Sequence, residues 1–172
     1  MKLSKLIALT AIVLSLASPS SSSSSDSTKE LFAYDRSRPF EVKEVSRKEQ
    51  DVVTIQDIEY APYASKRDRI KAFIIRPTGK GPFAGVLFLH WLGRPRGDRT
   101  QFLEEAISLA KQGTVSLLIQ GYFPWQVDPS DGPTDRRLII SETIEARRAL
   151  DLLASQPTVS YTHLTLPTIY SV

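Results

Sequence analysis

The feature that most limits what this chain can become is the run Ala84, Gly85, Val86, Leu87, Phe88, Leu89, apolar throughout and without alternation. Successive side chains of a strand point to opposite faces, so an unbroken apolar run of this length reads as a strand covered on both faces. A second run, apolar except for Ser116, follows at residues 115–119. Between them Phe102, Leu103, Ala106, Ile107 and Ala110 recur at helical intervals, with Asp98 and Gln101 spaced as a capping box and Gly113 as a stop. Residues 121–134 are a loop rich in Pro, Gly and Asp. Beyond it Ile139, Thr143, Ala146, Leu150 and Leu153 mark one face of a second helix that Pro157 terminates. Strand, helix, strand, helix implies βαβ crossovers, helices flanking a mostly parallel sheet, and one more strand after Pro157.

Upstream the pattern is that of an antiparallel ribbon. Val42 and Val45 stand among charges, as on an edge strand, residues 52–60 alternate, and residues 70–76 form a further run closed by Pro77. Before the ribbon, Lys2 and Lys5 precede an apolar stretch at residues 6–16 and the small residues Ala17 and Ser18, which reads as a signal peptide over residues 1–18 and implies export to a periplasm or the cell exterior. The stretch is shorter than the roughly 20 residues a membrane helix needs, so no stable membrane span is expected after signal cleavage. Residues 19–30 are a Ser-rich flexible linker. Residues 31–158 then make a single α/β domain.

Composition removes several classes of function. The formal net charge is only +3 and both signs are interspersed, so no nucleic-acid partner is expected. The absence of cysteine excludes disulfides and thiolate metal sites. Asp128, Asp131 and Asp135 are close together but lack the glycine and terminal glutamate of a calcium loop, and read as loop solubility and helix capping. Neither metal nor cofactor is expected. Arg136, Arg137, Arg147 and Arg148 read as a solvated helix face, with Glu145 at pairing distance from Arg148.

The turn Gly79, Lys80, Gly81, Pro82, Phe83, the strand and loop Gly85, Val86, Leu87, Phe88, Leu89, His90, Trp91, Leu92, Gly93, and the helical residues Phe102, Leu103, Glu104, Glu105, Ala106 with Leu109, Ala110, Lys111, Gln112, Gly113 carry a resemblance. Over residues 52–158 the chain resembles the α/β-hydrolases related to dienelactone hydrolase. The resemblance implies the N-terminal part of an α/β-hydrolase fold, cut before the strand that leads to the nucleophile elbow. It implies that backbone amides after the first central strand form part of an oxyanion hole, with Leu92 the donor best placed and Trp91 a second, at a position where the family more often has glycine. Gly93 permits the tight path, and His90 orders its own loop, because the family's catalytic histidine comes near the end of the chain. Rigid amides stabilise the charge that acyl transfer builds on the substrate oxygen, and losing one costs about 3 to 4 kcal/mol of barrier. Tyr122, Phe123, Pro124 and Trp125 follow a strand end, where the aromatic side chains either wall a substrate pocket or pack against their own loop.

No Gly-x-Ser-x-Gly occurs in the chain, and its serine-rich tract precedes the fold. Nucleophile (Ser, Cys or Asp), acid and base are therefore expected beyond Thr158, and the 172 residues are expected not to catalyse. The full-length form would act on a small-molecule ester, lactone or related bond through a covalent intermediate. The alternative is a non-catalytic α/β binding or interaction domain. An elbow within about twenty residues downstream of Thr158 would separate the two.

Residues 159–172 stand apart. The ten residues at 159–168 read Val-Ser-Tyr-Thr-His-Leu-Thr-Leu-Pro-Thr, which resembles the translation of the transposase end sequence used in library adapters. Ile169, Tyr170 and Ser171 then fall at the barcode and Val172 before the adapter's stop codon. On this reading the segment is a non-native tail and His163 has no chemical standing. The codons under residues 159–168 are expected to spell the adapter string, and sequencing the gene checks this: codons departing from that string would rule out the adapter origin.

Overall fold

The two apolar runs, the second broken only by Ser116, become neighbouring parallel strands, β4 (Phe83–Leu89) and β5 (Thr114–Ile119), paired in register from Ala84 opposite Thr114 to Leu89 opposite Ile119. The structure, a computed structural model, describes residues 29–91, 97–121 and 132–165, with side chains to residue 160. The expected signal peptide at 1–18 and the linker up to residue 28 lie outside the described residues. Lys29 and Glu30, at the linker's end, are wound into a helical turn closed by the Phe32 N–H on the Lys29 carbonyl at 3.2 Å.

Alternation along β4 and β5 sends Leu87 and Leu117 to one face and Phe88 and Leu118 to the other, and all four are buried. Each face is closed by one helix. The first, α1 (Leu103–Lys111), packs Ala106, Ile107 and Ala110 against Phe88, Leu118 and Ile75. The second, α2 (Gly132–Ala154), packs Ala149, Leu152 and Leu153 against Leu87, Leu117 and Ile74. Gly113 ends α1 as expected: it takes a φ of +89°, which only glycine adopts cheaply, and its N–H closes on the Ala110 carbonyl at 3.1 Å.

The opening ribbon is β1 (Lys43–Gln50), β2 (Val53–Tyr60) and β3 (Ile70–Pro77), antiparallel throughout. β1 lies at the sheet edge, with Val45 59% exposed, as its mixed composition implies. β3 joins antiparallel to β5, giving the order β1-β2-β3-β5-β4-β6 with β6 at Val159–Thr165. The antiparallel ribbon thus leads, as expected, into the parallel strands β5, β4 and β6, in a mixed sheet flanked by helices. Among the described residues no helix is long and apolar enough to cross a membrane.

The strand owed after Pro157 is present, and it is made by the adapter-like residues. β6 runs parallel to β4, pairing Phe83 with Val159 but Gly85 with Leu164, so its register slips between those two points. Tyr, Thr, Leu and Val favour extended backbone, and the bare edge of β4 offers unpaired N–H and C=O groups to any such segment. Gly81 lets the turn before β4 touch the entry to this strand. A Cβ there would meet the Thr158 carbonyl oxygen at 2.8 Å, and Phe83 donates its N–H to the same oxygen at 2.8 Å.

The buried face of α2 corrects the sequence reading. Of the five residues expected on it, Leu153 is fully buried but Ile139 is 46% exposed, and the interior side carries Glu142, Glu145 and Arg148 instead. Arg136, Arg137 and Arg147 are exposed as expected, whereas Arg148 is 0% exposed. Nor do Glu145 and Arg148 pair. Glu145 accepts the N–H groups of Tyr63, Ala64 and Ser65 at 2.7 to 2.9 Å, and Arg148 donates to the carbonyls of Ala61, Arg38 and Pro39. The surface α2 meets at these points is irregular backbone, whose polar groups have no ladder to join and must find side-chain partners. The guanidinium also lies 4.6 Å over the Phe40 ring. One turn further, Asp151 accepts the Tyr34 hydroxyl at 2.5 Å, and burial together with that bond pushes the Tyr34 phenol up to about 12.

Since Arg148→Leu orphans three carbonyls, and each buried unsatisfied group costs about 1 to 3 kcal/mol, it is expected to destabilise the protein by about 3 kcal/mol or more. Arg136→Ala on the solvent side is expected to stay within about 0.5 kcal/mol. Urea unfolding of the two variants measures the contrast.

Candidate active site

Because β4 and β5 are parallel and end together at Leu89 and Ile119, the loops that follow them start side by side at the C-terminal edge of the sheet. Open α/β sheets place their ligands at that edge. The third wall is the middle of α2. Leu89, Ile119, Ile139 and Ala146 give an apolar lining, and His90 and Glu142 bring polar groups to a cavity of about 280 Å³.

His90, expected to order its own loop, is buried at this edge. Its Nδ1 lies 2.9 Å from the Trp91 carbonyl, and its Nε2 lies 3.2 Å from Gln120 Nε2 and 3.3 Å from the Gly121 carbonyl. The Trp91 ring is 68% exposed. The Trp91 amide, which the resemblance puts among the oxyanion donors, is engaged within its own loop: it donates to Gln101 Oε1 at 2.6 Å. Leu92 and Gly93, and the expected wall residues Tyr122, Phe123 and Trp125, lie outside the described residues, as do Asp128 and Asp131.

The Gln101 bond replaces the expected capping box. α1 begins at Leu103 with Phe102 at its N-cap and no side-chain cap. Asp98 instead closes a local turn, its carboxylate accepting the Thr100 N–H at 2.7 Å and also the Thr100 hydroxyl, and these bonds hold its carboxyl below the usual range. The two side chains expected to cap a helix fix the loop in front of it.

The supports around this edge were not anticipated. Arg99 donates its backbone N–H to Gln120 Oε1 at 3.1 Å, while its guanidinium meets Asp57 on β2 at 2.5 and 2.9 Å, donates to the Ala72 carbonyl and lies 4.1 Å over the Phe73 ring. Arg67 donates to the Gln120 carbonyl at 2.7 Å and pairs with Glu142 at 2.9 Å. Both pairs are mostly shielded from solvent. Each ties one loop to a regular element. Only a polar residue directly after an apolar strand, Gln120, could have hinted at them in the sequence, and that signal is weak. Among the described residues no three His, Cys, Asp or Glu side chains group as metal ligands.

No family model matches the sequence, and no curated protein matches it. Solved structures do. Acetyl xylan esterase 1 from Thermoanaerobacterium sp. JW/SL YS485 aligns at a TM-score of 0.63 and 14% identity, over 83% of this chain and 49% of that one. An acetyl xylan esterase from Paenibacillus sp. R4 aligns at 0.51 and 16% identity, over 82% and 48%. The shared fold is a mixed α/β sheet with flanking helices. At these identities the likeness concerns the fold, and the chain spans about half the length of each structure it matches.

Arg99→Met leaves the shielded Asp57 carboxylate without its cation and is expected to cost about 3 to 5 kcal/mol. Adding Asp57→Leu should recover part of that loss, because the uncompensated charge is then gone. Thermal unfolding of the single and double variants checks the sign of this coupling.

Proposed function

We propose that this chain carries one side of an ester-hydrolysing site, of the dienelactone-hydrolase-like group, in an exported protein. The observation that supports the reading best is the His90–Trp91 turn, held at the shared end of β4 and β5 where it opens on the cavity under α2. In this reading the amide of Leu92, the residue after the held turn, faces the oxygen of a substrate acyl group. Preorganised donors at such an edge lower the barrier without having to reorient as charge develops. The apolar walls would take the acyl or alkoxy part of a small ester or lactone. Residues 159–172 are, in this reading, adapter-derived, and the slipped register of β6 is in keeping with that origin.

The 172 residues hold no Gly-x-Ser-x-Gly, and we infer that by themselves they do not turn over esters. The purified chain is expected to hydrolyse p-nitrophenyl acetate no faster than buffer. The same domain joined to the gene's own codons after Thr158 is expected to hydrolyse it and to be labelled by a fluorophosphonate if the nucleophile is serine. Turnover by the 172-residue chain would overturn the inactivity. A continuation with neither an elbow nor turnover would overturn the ester reading in favour of a binding domain.

A further inference from the structure

Gln120 follows the last residue of β5, and each of its polar atoms has a partner. Its N–H donates to the Lys71 carbonyl at 2.8 Å and its carbonyl accepts from Arg67. In the side chain, Oε1 accepts the Arg99 N–H at 3.1 Å and Nε2 faces His90 Nε2 at 3.2 Å. The Arg99 N–H can only donate, which fixes which end of the amide is oxygen, since a flipped side chain would set NH₂ against N–H. The NH₂ group therefore faces His90 Nε2 at 3.2 Å and the Gly121 carbonyl at 3.3 Å; that carbonyl also lies 3.3 Å from Nε2, and the arrangement in which each contact pairs a donor with an acceptor has both NH₂ hydrogens donated, one to Gly121 and one to a lone pair on Nε2. On the other side of the ring, Nδ1 faces the Trp91 carbonyl at 2.9 Å, an oxygen that can only accept, so Nδ1 carries the proton.

We propose that Gln120 is a positioning residue that holds His90 as the neutral Nδ1–H tautomer, and that His90 in this form and Gln101 together clamp Trp91 by its C=O and its N–H. A proton on Nε2 would have the Gly121 carbonyl at 3.3 Å, already met by the Gln120 NH₂, but would face that NH₂ itself at 3.2 Å, and loss of the Nδ1 proton would set two lone pairs 2.9 Å apart. The held tautomer makes His90 a strut and takes it out of proton transfer. The functional consequence rests on the ester-hydrolase reading: with both polar groups of Trp91 held by side chains, the backbone of Trp91 is set before substrate arrives. Arg99 extends the support to the sheet, because the amide that orients Gln120 belongs to the residue whose guanidinium is fixed on Asp57.

The test is ¹⁵N NMR of the imidazole rings in the full 172-residue chain at neutral pH. The sequence has two histidines, so His163→Gln leaves the signals of His90 alone. A protonated Nδ1 and an unprotonated Nε2 are expected as two separate resonances. An Nε2–H pattern, or two averaged resonances, overturns the proposal. Gln120→Glu offers Nε2 only acceptors and is expected to move the proton to that nitrogen or to add one there, and Gln120→Met is expected to give averaged resonances. If both variants keep the parent pattern, Gln120 does not set the tautomer and the assignment falls. Should a variant fail to fold, the spectrum of the parent ring still decides. A correct tautomer without ester turnover in the continued protein counts against the ester reading alone, and a wrong tautomer with turnover counts against this proposal alone.

Discussion

The parallel contact between β4 and β5 governs the rest of the molecule. Two parallel strands cannot be joined by a tight turn, so the chain must return over a face of the sheet, and the return packs as a helix. α1 makes that return on one face, and α2 covers the other. Both faces of the pair are then dry, which is what two almost wholly apolar runs demand. Both strands also leave the sheet at one end, one strand spacing apart, about 4.8 Å. The turn at His90 and the turn at Gly121 are neighbours for that reason alone, and the cavity lies where they meet α2.

Around this pair, irregular segments are held by buried charge. Arg148 gathers carbonyls from residues 38, 39 and 61, Glu145 gathers amides from residues 63–65, and Arg99 and Arg67 bind the edge loops to β2, β3 and α2. A guanidinium suits this work because its planar set of donors can meet several carbonyls at once. A carboxylate does the converse for amides. Such contacts carry a desolvation cost, and they are tolerated where backbone groups would otherwise be buried unpaired. They also make the edge rigid: His90, Gln101 and Gln120 form a connected set in which each side chain fixes a neighbour's orientation.

Much of the fold was legible because it follows from periodicity. The ribbon strands, the two dry strands, α1 and its stop at Gly113 each depend on local pattern or on one conformational requirement. The face of α2 was not legible, because Glu and Arg are exposed far more often than buried, and only the loop lying against them reveals that they have partners. The capping box failed for a similar reason. Asp98 and Gln101 had the right spacing, but Gln101 found the Trp91 amide, on a loop ten residues earlier in the chain. The resemblance gave His90 only an expected role, and which atoms its ring meets could not be read from the sequence. Gln120 and Arg99 were missed, since their roles need β2, β3 and β5 side by side.

The sequence by itself determined that residues 84–89 and 115–119 are buried strands, that helices must cover them, and that the next strand had to follow Pro157. It also left that last position open to whatever extended segment came next, since β pairing reads backbone groups more than side chains. Tertiary structure decided which charges are buried, which face α2 turns inward, and how the turn after β4 is held. Hydrophobic pattern is written locally, residue by residue. The partner of a polar atom is set by whichever segment packs against it, often many residues away in the chain.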